Sequence, residues 1–179
     1  MKPALVLVDI QNDYFPDGNM ELVDIDIASS NARLLLDKFR DQDLHTFHIQ
    51  HTFLDSHAGF FLPNTAGSEI HGSVDPLPSE TVIPKHFPNS FRDTNLLDQL
   101  KKNYITDLVI CGAMSHMCIE ATTRAAADYG FKCVVVQDAC ATRDIEFQGK
   151  EVSATDVHIA SMSALAFAYA NVVNTDELI

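Results

Sequence analysis

The sequence predicts an α/β fold: a single-domain, three-layer α/β/α arrangement around a mostly parallel, six-stranded sheet. Apolar runs of strand length recur along the 179 residues, and segments with helical periodicity lie between several of them. Strands that alternate with helices imply a parallel sheet whose two faces are both covered. Since no shift in composition and no Gly/Ser-rich linker divides the chain, residues 1–179 are expected to form one domain.

The predicted strands are short runs rich in Val, Ile and Leu, which is typical of strands buried on both faces. The first follows the N-terminus closely and the last lies near the C-terminus. They cover residues 4–10, 44–50, 81–84, 108–111, 132–137 and 171–173.

The predicted helices are segments in which apolar residues recur with the 3.6-residue period. They cover residues 27–39, 94–102, 117–129 and 152–169. The apolar face of the first is formed by Ile27, Leu34, Leu35 and Phe39. Candidate capping residues of the other three are Asp93, Gly130, Ser153 and Thr155.

The stretch 51–80 interrupts the alternation, because its prolines and glycines divide it into turns. A connection of this length in a compact domain is usually functional or disordered. Its aromatic and histidine residues favour an ordered loop over an active site; they are Phe53, His57, Phe60, Phe61 and His71. Ligands of parallel sheets bind beyond the carboxyl ends of the strands. This loop, Asp9, Lys85 and Cys118 all fall at or just after such ends, which predicts a single site.

Charge and cysteine content narrow the function classes. The net charge of −13 argues against nucleic acid or an anionic membrane as a partner. The N-terminal apolar run is too short for a signal peptide or a membrane span, so we expect a cytoplasmic protein. Reduced thiols are therefore expected, and without a C-x-x-C pair a structural zinc site is not indicated. The cysteines are Cys111, Cys118, Cys133 and Cys140.

Cys118 is the candidate nucleophile. It follows an apolar strand and a Gly-containing turn, where a helix should begin. Free amides and the dipole at a helix N-terminus favour the thiolate, which is the reactive form. His116 is a rival activating base, but two residues apart on a helix the side chains do not share a face. The alternative for Cys118 is a buried helix cysteine that packs against the sheet.

Asp9 and Lys85 are the candidate partners of this thiol. A carboxylate at the end of the first strand could take the thiol proton and return it to a leaving group. Asp9 could equally be a turn aspartate, and Asp13 competes for the role. A partly buried Lys85 would stabilise the thiolate and the developing oxyanion, although a lone lysine is usually solvated.

Two further groups of residues are candidates for ligand contacts. Asp55 and His57 form an Asp-x-His pair that could ligate a divalent metal, but such pairs also arise by chance in polar loops. The candidate pocket residues are Phe15, Phe60, Phe61, Phe91, Met114 and His116. All six could instead be ordinary core or loop packing. Because no cluster of basic residues occurs, a strongly anionic substrate is not indicated.

Three segments in this order resemble the isochorismatase-like cysteine hydrolases, which include nicotinamidases and N-carbamoylsarcosine amidases. They are LVDIQNDYF at 7–15, PK at 84–85 followed by NSF at 89–91, and CGAMSHMC at 111–118. The stretch 137–144 and the Ala-rich last helix are also similar to the family's. The resemblance covers essentially the whole chain and implies the isochorismatase-like hydrolase fold.

The resemblance also implies a catalytic apparatus. Its Asp–Lys–Cys triad corresponds to Asp9, Lys85 and Cys118, with attack on an amide-type carbonyl and a thioester intermediate. It implies a cis peptide between Ala113 and Met114, with the backbone amides of Met114 and Cys118 directed at the oxyanion. A homodimer or homotetramer is the assembly that it implies.

Two departures from the family pattern refine the expected function. The metal-binding nicotinamidases have a second histidine soon after the Asp-x-His pair, whereas here no histidine follows His57 until His71. No cofactor is therefore expected, and nicotinamide is placed in doubt as the substrate. Isochorismatases proper, which cleave a vinyl ether, lack the nucleophilic cysteine.

Cys118 thus favours a hydrolase that cleaves a C–N bond of a small amide, carbamoyl or ureido compound. Three alternatives stay open: a non-hydrolytic binding protein on the same fold, a vinyl ether hydrolase, and a thiol-dependent redox protein.

Overall fold

The computed structural model describes residues 2–179, which form a six-stranded sheet with strand order β3-β2-β1-β4-β5-β8. Every pairing between neighbours in this sheet is parallel. The strands are β1 (Pro3–Val8), β2 (His45–His51), β3 (Thr81–Lys85), β4 (Asp107–Ala113), β5 (Lys132–Ala141) and β8 (Asn171–Val173). A separate antiparallel hairpin pairs β6 (Ile145–Phe147) with β7 (Lys150–Val152).

Four α-helices in the described residues cover the two faces of the sheet. They are α1 (Ile25–Asp41), α2 (Leu96–Lys102), α3 (Glu120–Asp128) and α4 (Ala154–Ala168). One buried cluster holds α1 against one face, and a second holds α2, α3 and α4 against the other. The predicted three-layer α/β/α arrangement with a parallel six-stranded sheet is therefore confirmed.

The central strand β1 shows why both faces must be apolar. Successive side chains of a strand point to opposite faces. Leu5 and Leu7 accordingly belong to the cluster under α1, whereas Val6 and Val8 belong to the cluster under the other helices. A strand that is buried on both sides reads as a continuous apolar run, and this is the pattern that located it in the sequence.

The exposed side of α1 was predicted wrongly. Leu35 and Phe39 are buried as expected, but Ile27 is 61% exposed and Leu34 is 47% exposed. The helix instead turns small side chains toward the sheet, including Ala28 and Ala32. The buried face therefore combines these small residues with Ile25, Leu35, Leu36 and Phe39, whereas Ile27 and Leu34 lie outside it.

The end of β5 and the start of α4 also differ from the predictions. β5 continues to Ala141 through a register irregularity opposite β4, between Ile110 and Gly112. The polar sequence after residue 137 hid this extension. Val152, predicted to open the last helix, ends β7 instead. Ser153 caps the helix, as expected, by accepting a hydrogen bond from the backbone N–H of Asp156.

The predicted loop 51–80 is ordered by two short 3₁₀ turns, Ala66–Ser68 and Gly72–Val74. It runs from the carboxyl end of β2 to the amino end of β3, so its first residues lie at the carboxyl end of the sheet. Among residues 2–179, none of the helices is both long enough and apolar enough to traverse a bilayer.

Candidate active site

Four chemically active side chains lie together at the carboxyl ends of four adjacent strands. Asp9 directly follows β1, His51 ends β2 and Lys85 ends β3. Cys118 lies in the turn that follows β4. Because these strands are parallel neighbours in the order β3-β2-β1-β4, their carboxyl ends meet at one edge of the sheet. All four residues are at most 3% exposed.

The turn that carries Cys118 depends on the close approach of β4 to β1. Gly112 has a φ of 123°, and a Cβ there would lie 2.0 Å from the carbonyl oxygen of Val8. Only glycine fits this position. The Ala113–Met114 peptide bond that follows is cis. The chain then forms a π-helical turn, Ser115–Ile119, before α3 begins. Cys118 thus lies within this turn and not in the first turn of the α-helix.

Asp9 and Lys85 form a buried ion pair. The Lys85 ammonium nitrogen lies 2.8 Å from Oδ2 of Asp9, and it also donates a 2.9 Å hydrogen bond to the carbonyl oxygen of Pro88. Burial raises the pKa of Asp9, but the charge of Lys85 and hydrogen bonding from His51 outweigh it, so the pKa of Asp9 is lowered. Burial lowers the pKa of Lys85, and Asp9 more than offsets this. Asp9 is therefore a carboxylate and Lys85 an ammonium at neutral pH.

The Asp9 carboxylate keeps the capacity to accept a proton. It sits in a left-handed backbone conformation, with φ of 54°, which aspartate tolerates better than most residues. Neither carboxylate oxygen receives a well-aligned hydrogen bond from any residue in the range 2–179. The ammonium thus holds Asp9 in its charged form at Oδ2 and leaves Oδ1 able to accept a proton.

The pKa of the Cys118 thiol moves in the direction opposite to the one that a helix N-terminus favours. Burial and the negative charge of Asp9 raise the pKa of the Cys118 thiol, and Lys85 only partly compensates. Desolvation therefore outweighs any benefit from the following helix. A raised pKa favours the protonated thiol, so Cys118 needs a base to become nucleophilic. The ligand-type atoms of Asp9, His51 and Cys118 all lie within 4.8 Å of one another, so Asp9 is near enough to act as that base.

His51 is the residue that sequence reasoning missed. Its Nδ1 lies 3.7 Å from Oδ2 of Asp9 and 3.9 Å from Sγ of Cys118. The expected rival, His116, instead hydrogen-bonds the Thr142 hydroxyl at 2.7 Å. His51 is 67 residues from Cys118 in the chain, so only its position at the end of a strand next to β1 could have suggested it.

Aromatic side chains of the long loop cover this cluster. The ring centroids of Phe53 and Phe61 lie 4.5 Å and 6.0 Å from that of His51. The backbone N–H of Phe61 donates a 2.6 Å hydrogen bond to Oδ2 of Asp13, whose Oδ1 accepts a hydrogen bond from the side chain of Asn19. Asp13, a competitor for the role of base, therefore anchors the loop.

Tyr14 was not among the predicted pocket residues. It is almost fully buried, and its ring packs 4.6 Å from that of Phe61. Burial, together with nearby Cys118 and Asp9, raises the pKa of its phenol well above the ordinary value. Tyr14 thus places a neutral hydroxyl close to the cluster.

The predicted pocket residues separate into two groups. Phe15, Phe61 and Met114 belong to the cluster on the α1 side, and Phe60 packs against it. Phe91 belongs to the opposite cluster, where its ring lies 5.2 Å from that of Tyr129. Phe91 is thus packed beside α3, away from the other three phenylalanines.

The Asp-x-His pair does not fit a metal site. The Asp55 and His57 side chains are 71% and 92% exposed, and they hydrogen-bond each other. Among residues 2–179, three ligand-type side chains come mutually close at Asp9, His51 and Cys118, and not at this pair. In that cluster the Lys85 ammonium already provides the cation beside Asp9. The residues present therefore do not form the metal centre that the family resemblance raised as an option.

Comparison with known proteins agrees with this architecture. The isochorismatase domain family matches residues 3–176. An uncharacterized isochorismatase family protein of Bacillus subtilis, YddQ, is 50% identical over 176 residues, which cover 98% of each chain. A crystal structure described as an isochorismatase hydrolase from Oleispira antarctica is 50% identical and has a TM-score of 0.94, covering 99% of this chain and 95% of that one.

A third relative is named for an amidase. The crystal structure of N-carbamoylsarcosine amidase from Thermoplasma acidophilum is 25% identical, with a TM-score of 0.86 and 99% of both chains covered. The likeness to all three proteins extends over nearly the full length of this chain. The chain therefore belongs to the isochorismatase domain family of hydrolases.

Proposed function

We propose that this hydrolase cleaves a C–N bond of a small amide, carbamoyl or ureido compound through a thioester on Cys118. The observation that carries the proposal is the buried Asp9–Lys85 pair beside a buried, protonated thiol. A carboxylate held ionised next to such a thiol is suited to take its proton. Similarity to a protein named N-carbamoylsarcosine amidase supports an amide-type substrate.

In the first step, Asp9 accepts the Cys118 proton while the sulfur attacks the carbonyl carbon. The electron pair of the carbonyl moves to its oxygen, and a tetrahedral intermediate forms. We assign stabilisation of this oxyanion to the backbone amides of Met114 and Cys118 and to the positive charge of Lys85. Preorganised donors of this kind contribute about 2.7–4 kcal/mol each in related chemistry.

In the second step, Asp9 returns its proton to the leaving nitrogen and the C–N bond breaks, which leaves the thioester. A water molecule then gives a proton to Asp9 and attacks the thioester carbonyl. Collapse of the second intermediate restores the Cys118 thiol and the Asp9 carboxylate. Asp9 thus alternates between base and acid in the two halves of the reaction.

The surroundings of the cluster favour a small, uncharged substrate. Phe53, Phe60 and Phe61 cover the site with apolar surface, and the Tyr14 hydroxyl is neutral. Burying an unpaired charge against these rings would be costly. A small amide with polar atoms at one end fits this mixture of rings and hydrogen-bonding groups.

The test is an ammonia-release screen over small linear amides, carbamoyl compounds and ureido compounds, with nicotinamide in the panel. Cys118→Ala should abolish release from the best substrate. Cys133→Ala, a matched control at a buried cysteine in the core beside α3, should retain it. Continued turnover by Cys118→Ala would rule out a mechanism in which Cys118 is the nucleophile.

A further inference from the structure

We propose that His51 is a positioning residue whose Nδ1–H faces both Asp9 and Cys118 in the resting site and donates to the Cys118 sulfur once the thiol has lost its proton. The inference rests on the proposed function, because it concerns the same proton transfer. It adds a histidine to a site in which the family resemblance implied only aspartate, lysine and cysteine.

The geometry sets His51 between the base and the nucleophile. One ring nitrogen, Nδ1, is 3.7 Å from Oδ2 of Asp9 and 3.9 Å from Sγ of Cys118. A histidine that passes a proton through its ring needs one partner at each nitrogen. Since both partners of His51 face the same nitrogen, it does not relay the proton. It can, however, donate one hydrogen bond to either partner.

The imidazole is held in this position from two sides. The side-chain amide of the buried Gln11 donates to the carbonyl oxygen of His51 at 2.8 Å and accepts from its backbone N–H at 2.7 Å. The ring of Phe53 packs 4.5 Å from the imidazole. These contacts fix the end of β2 and leave the ring limited freedom to rotate.

The surroundings also select the tautomer. The other nitrogen, Nε2, is buried without a hydrogen-bond partner among residues 2–179. An unsatisfied buried N–H is rarer than an unsatisfied acceptor, so the proton belongs on Nδ1, which faces a carboxylate. We infer that Nδ1–H is the donor and that Nε2 is an unprotonated acceptor.

The charges that face His51 explain why such a donor matters. They belong to Asp9 after β1, to Lys85 at the end of β3 and, once it has lost its proton, to Cys118 in the π-helical turn, whereas the nearby Tyr14 hydroxyl is neutral. When the proton moves from Cys118 to Asp9, the negative charge moves from oxygen to sulfur. Lys85 stays next to Asp9 and only partly offsets the raised pKa of Cys118, so Nδ1–H offers the new thiolate a second donor. Nδ1–H is nearly equidistant from both atoms and can follow the charge with a small rotation.

The test compares two substitutions at this position by the rate at which iodoacetamide labels Cys118. Asn places an amide N–H close to the position of Nδ1, whereas Phe keeps the ring volume without a donor. Labelling would be followed by peptide mass spectrometry from neutral to alkaline pH, with thermal unfolding measured on each variant. His57→Asn, on the exposed loop, is the matched control.

We expect His51→Phe to label about tenfold more slowly at neutral pH, because the thiolate loses a hydrogen-bond donor. Its labelling curve should move to higher pH. His51→Asn should recover most of the wild-type rate, and His57→Asn should equal wild type. A purely structural role would change the unfolding temperature without shifting the curve.

Equal labelling of His51→Phe and wild type would overturn the inference, as would a His51→Asn variant that is as slow as His51→Phe. Either result is independent of the proposed function, which is judged by the inactivity of Cys118→Ala. If Cys118→Ala turned over substrate, the proposed function would fail even with the expected labelling at His51.

Discussion

Lys85 reaches Asp9 across an intervening strand. Lys85 ends β3 and Asp9 follows β1. These two strands do not pair with each other, because β2 lies between them. The ammonium nitrogen of Lys85 is nevertheless 2.8 Å from the Asp9 carboxylate. Both side chains have no exposed surface. A buried pair of this kind contributes less to stability than to function, because desolvation of two charges offsets their attraction.

The first prediction follows from this pair. Lys85→Met should destabilise the fold by about 3–5 kcal/mol, because it leaves the Asp9 carboxylate buried without a countercharge. Activity should fall by at least about a hundredfold, because a cation near the developing oxyanion is lost. Urea unfolding and ammonia release would measure the two effects, with the exposed Lys101→Met as control.

The double variant Asp9→Asn/Lys85→Met separates these effects. It removes both charges, so it should recover a large part of the lost stability while remaining inactive. If the double variant were less stable than Lys85→Met, the uncompensated Asp9 carboxylate would not be the cause of the lost stability.

The second prediction concerns thiol reactivity. Burial raises the pKa of Cys133 to about 11 and of Cys140 to about 12, and burial with the charge of Asp9 raises that of Cys118. A raised thiol pKa means that the thiolate fraction at neutral pH is small and grows as the pH increases. Native protein should therefore react with iodoacetamide much more slowly than free cysteine at neutral pH. In denaturant all the thiols should react quickly. Rapid stoichiometric labelling of Cys118 in native protein at neutral pH would show a preformed thiolate.

The third prediction concerns Glu80, which joins the end of the long loop to α1. Burial raises the pKa of its carboxyl, but hydrogen bonds from Arg40 and the Leu77 N–H outweigh this and lower it from 4.5 to about 2. A folded pKa below the unfolded one stabilises the fold fully above about pH 4.5, and this stabilisation is lost as the pH falls toward about 2. Glu80→Gln should therefore cost about 1.5–3 kcal/mol at pH 7, which is the range for hydrogen bonds to a charged group.

That difference should shrink steadily as the solution is acidified. Urea unfolding of wild type and Glu80→Gln at several pH values would measure it, with the exposed Glu151→Gln as control. A difference that stayed constant down to pH 3 would mean that the charge of Glu80 is not responsible.

The fourth prediction tests how the loop is anchored over the site. A Cβ on Gly67 would lie 2.2 Å from Oδ1 of Asp13, the carboxylate that holds the Phe61 N–H. Gly67→Ala should displace Asp13, lower the unfolding temperature by several degrees and make the loop sensitive to limited proteolysis. Gly72→Ala is the matched control in the same loop, because a Cβ there meets no atom of residues 2–179 within 4 Å. If both variants unfolded at the same temperature, the contact with Asp13 would not anchor the loop.

The fifth prediction addresses the Asp-x-His pair. Because the Asp55 and His57 side chains are exposed and hydrogen-bonded to each other, the double variant Asp55→Ala/His57→Ala should keep wild-type activity and stability. Ammonia release and thermal unfolding, each with and without a chelator, would check this. If the chelator abolished the activity of the wild type, and an added divalent metal restored it in the wild type but not in the double variant, Asp55 and His57 would be metal ligands.

The sequence by itself determined the layers of the fold and three of the four residues in the cluster. Strands buried on both faces must be continuously apolar, and residues that end parallel strands must meet at one edge, so Asp9, Lys85 and Cys118 could be placed together before any coordinates were known. The hairpin β6–β7 and the exposed side of α1 were missed, because short polar strands and small buried residues leave weak patterns.

Tertiary structure alone decided the ionisation of the site and the place of His51. Periodicity reports which residues share an element, but a pKa depends on burial and on charges that arrive from other strands. The turn before Cys118 suggested a ready thiolate, yet desolvation and Asp9 hold the thiol protonated. His116, two residues from Cys118 in the sequence, contacts Thr142. His51, at the end of β2, lies beside the Cys118 sulfur. The order of strands in the sheet, and not the order of residues in the chain, determines which side chains meet.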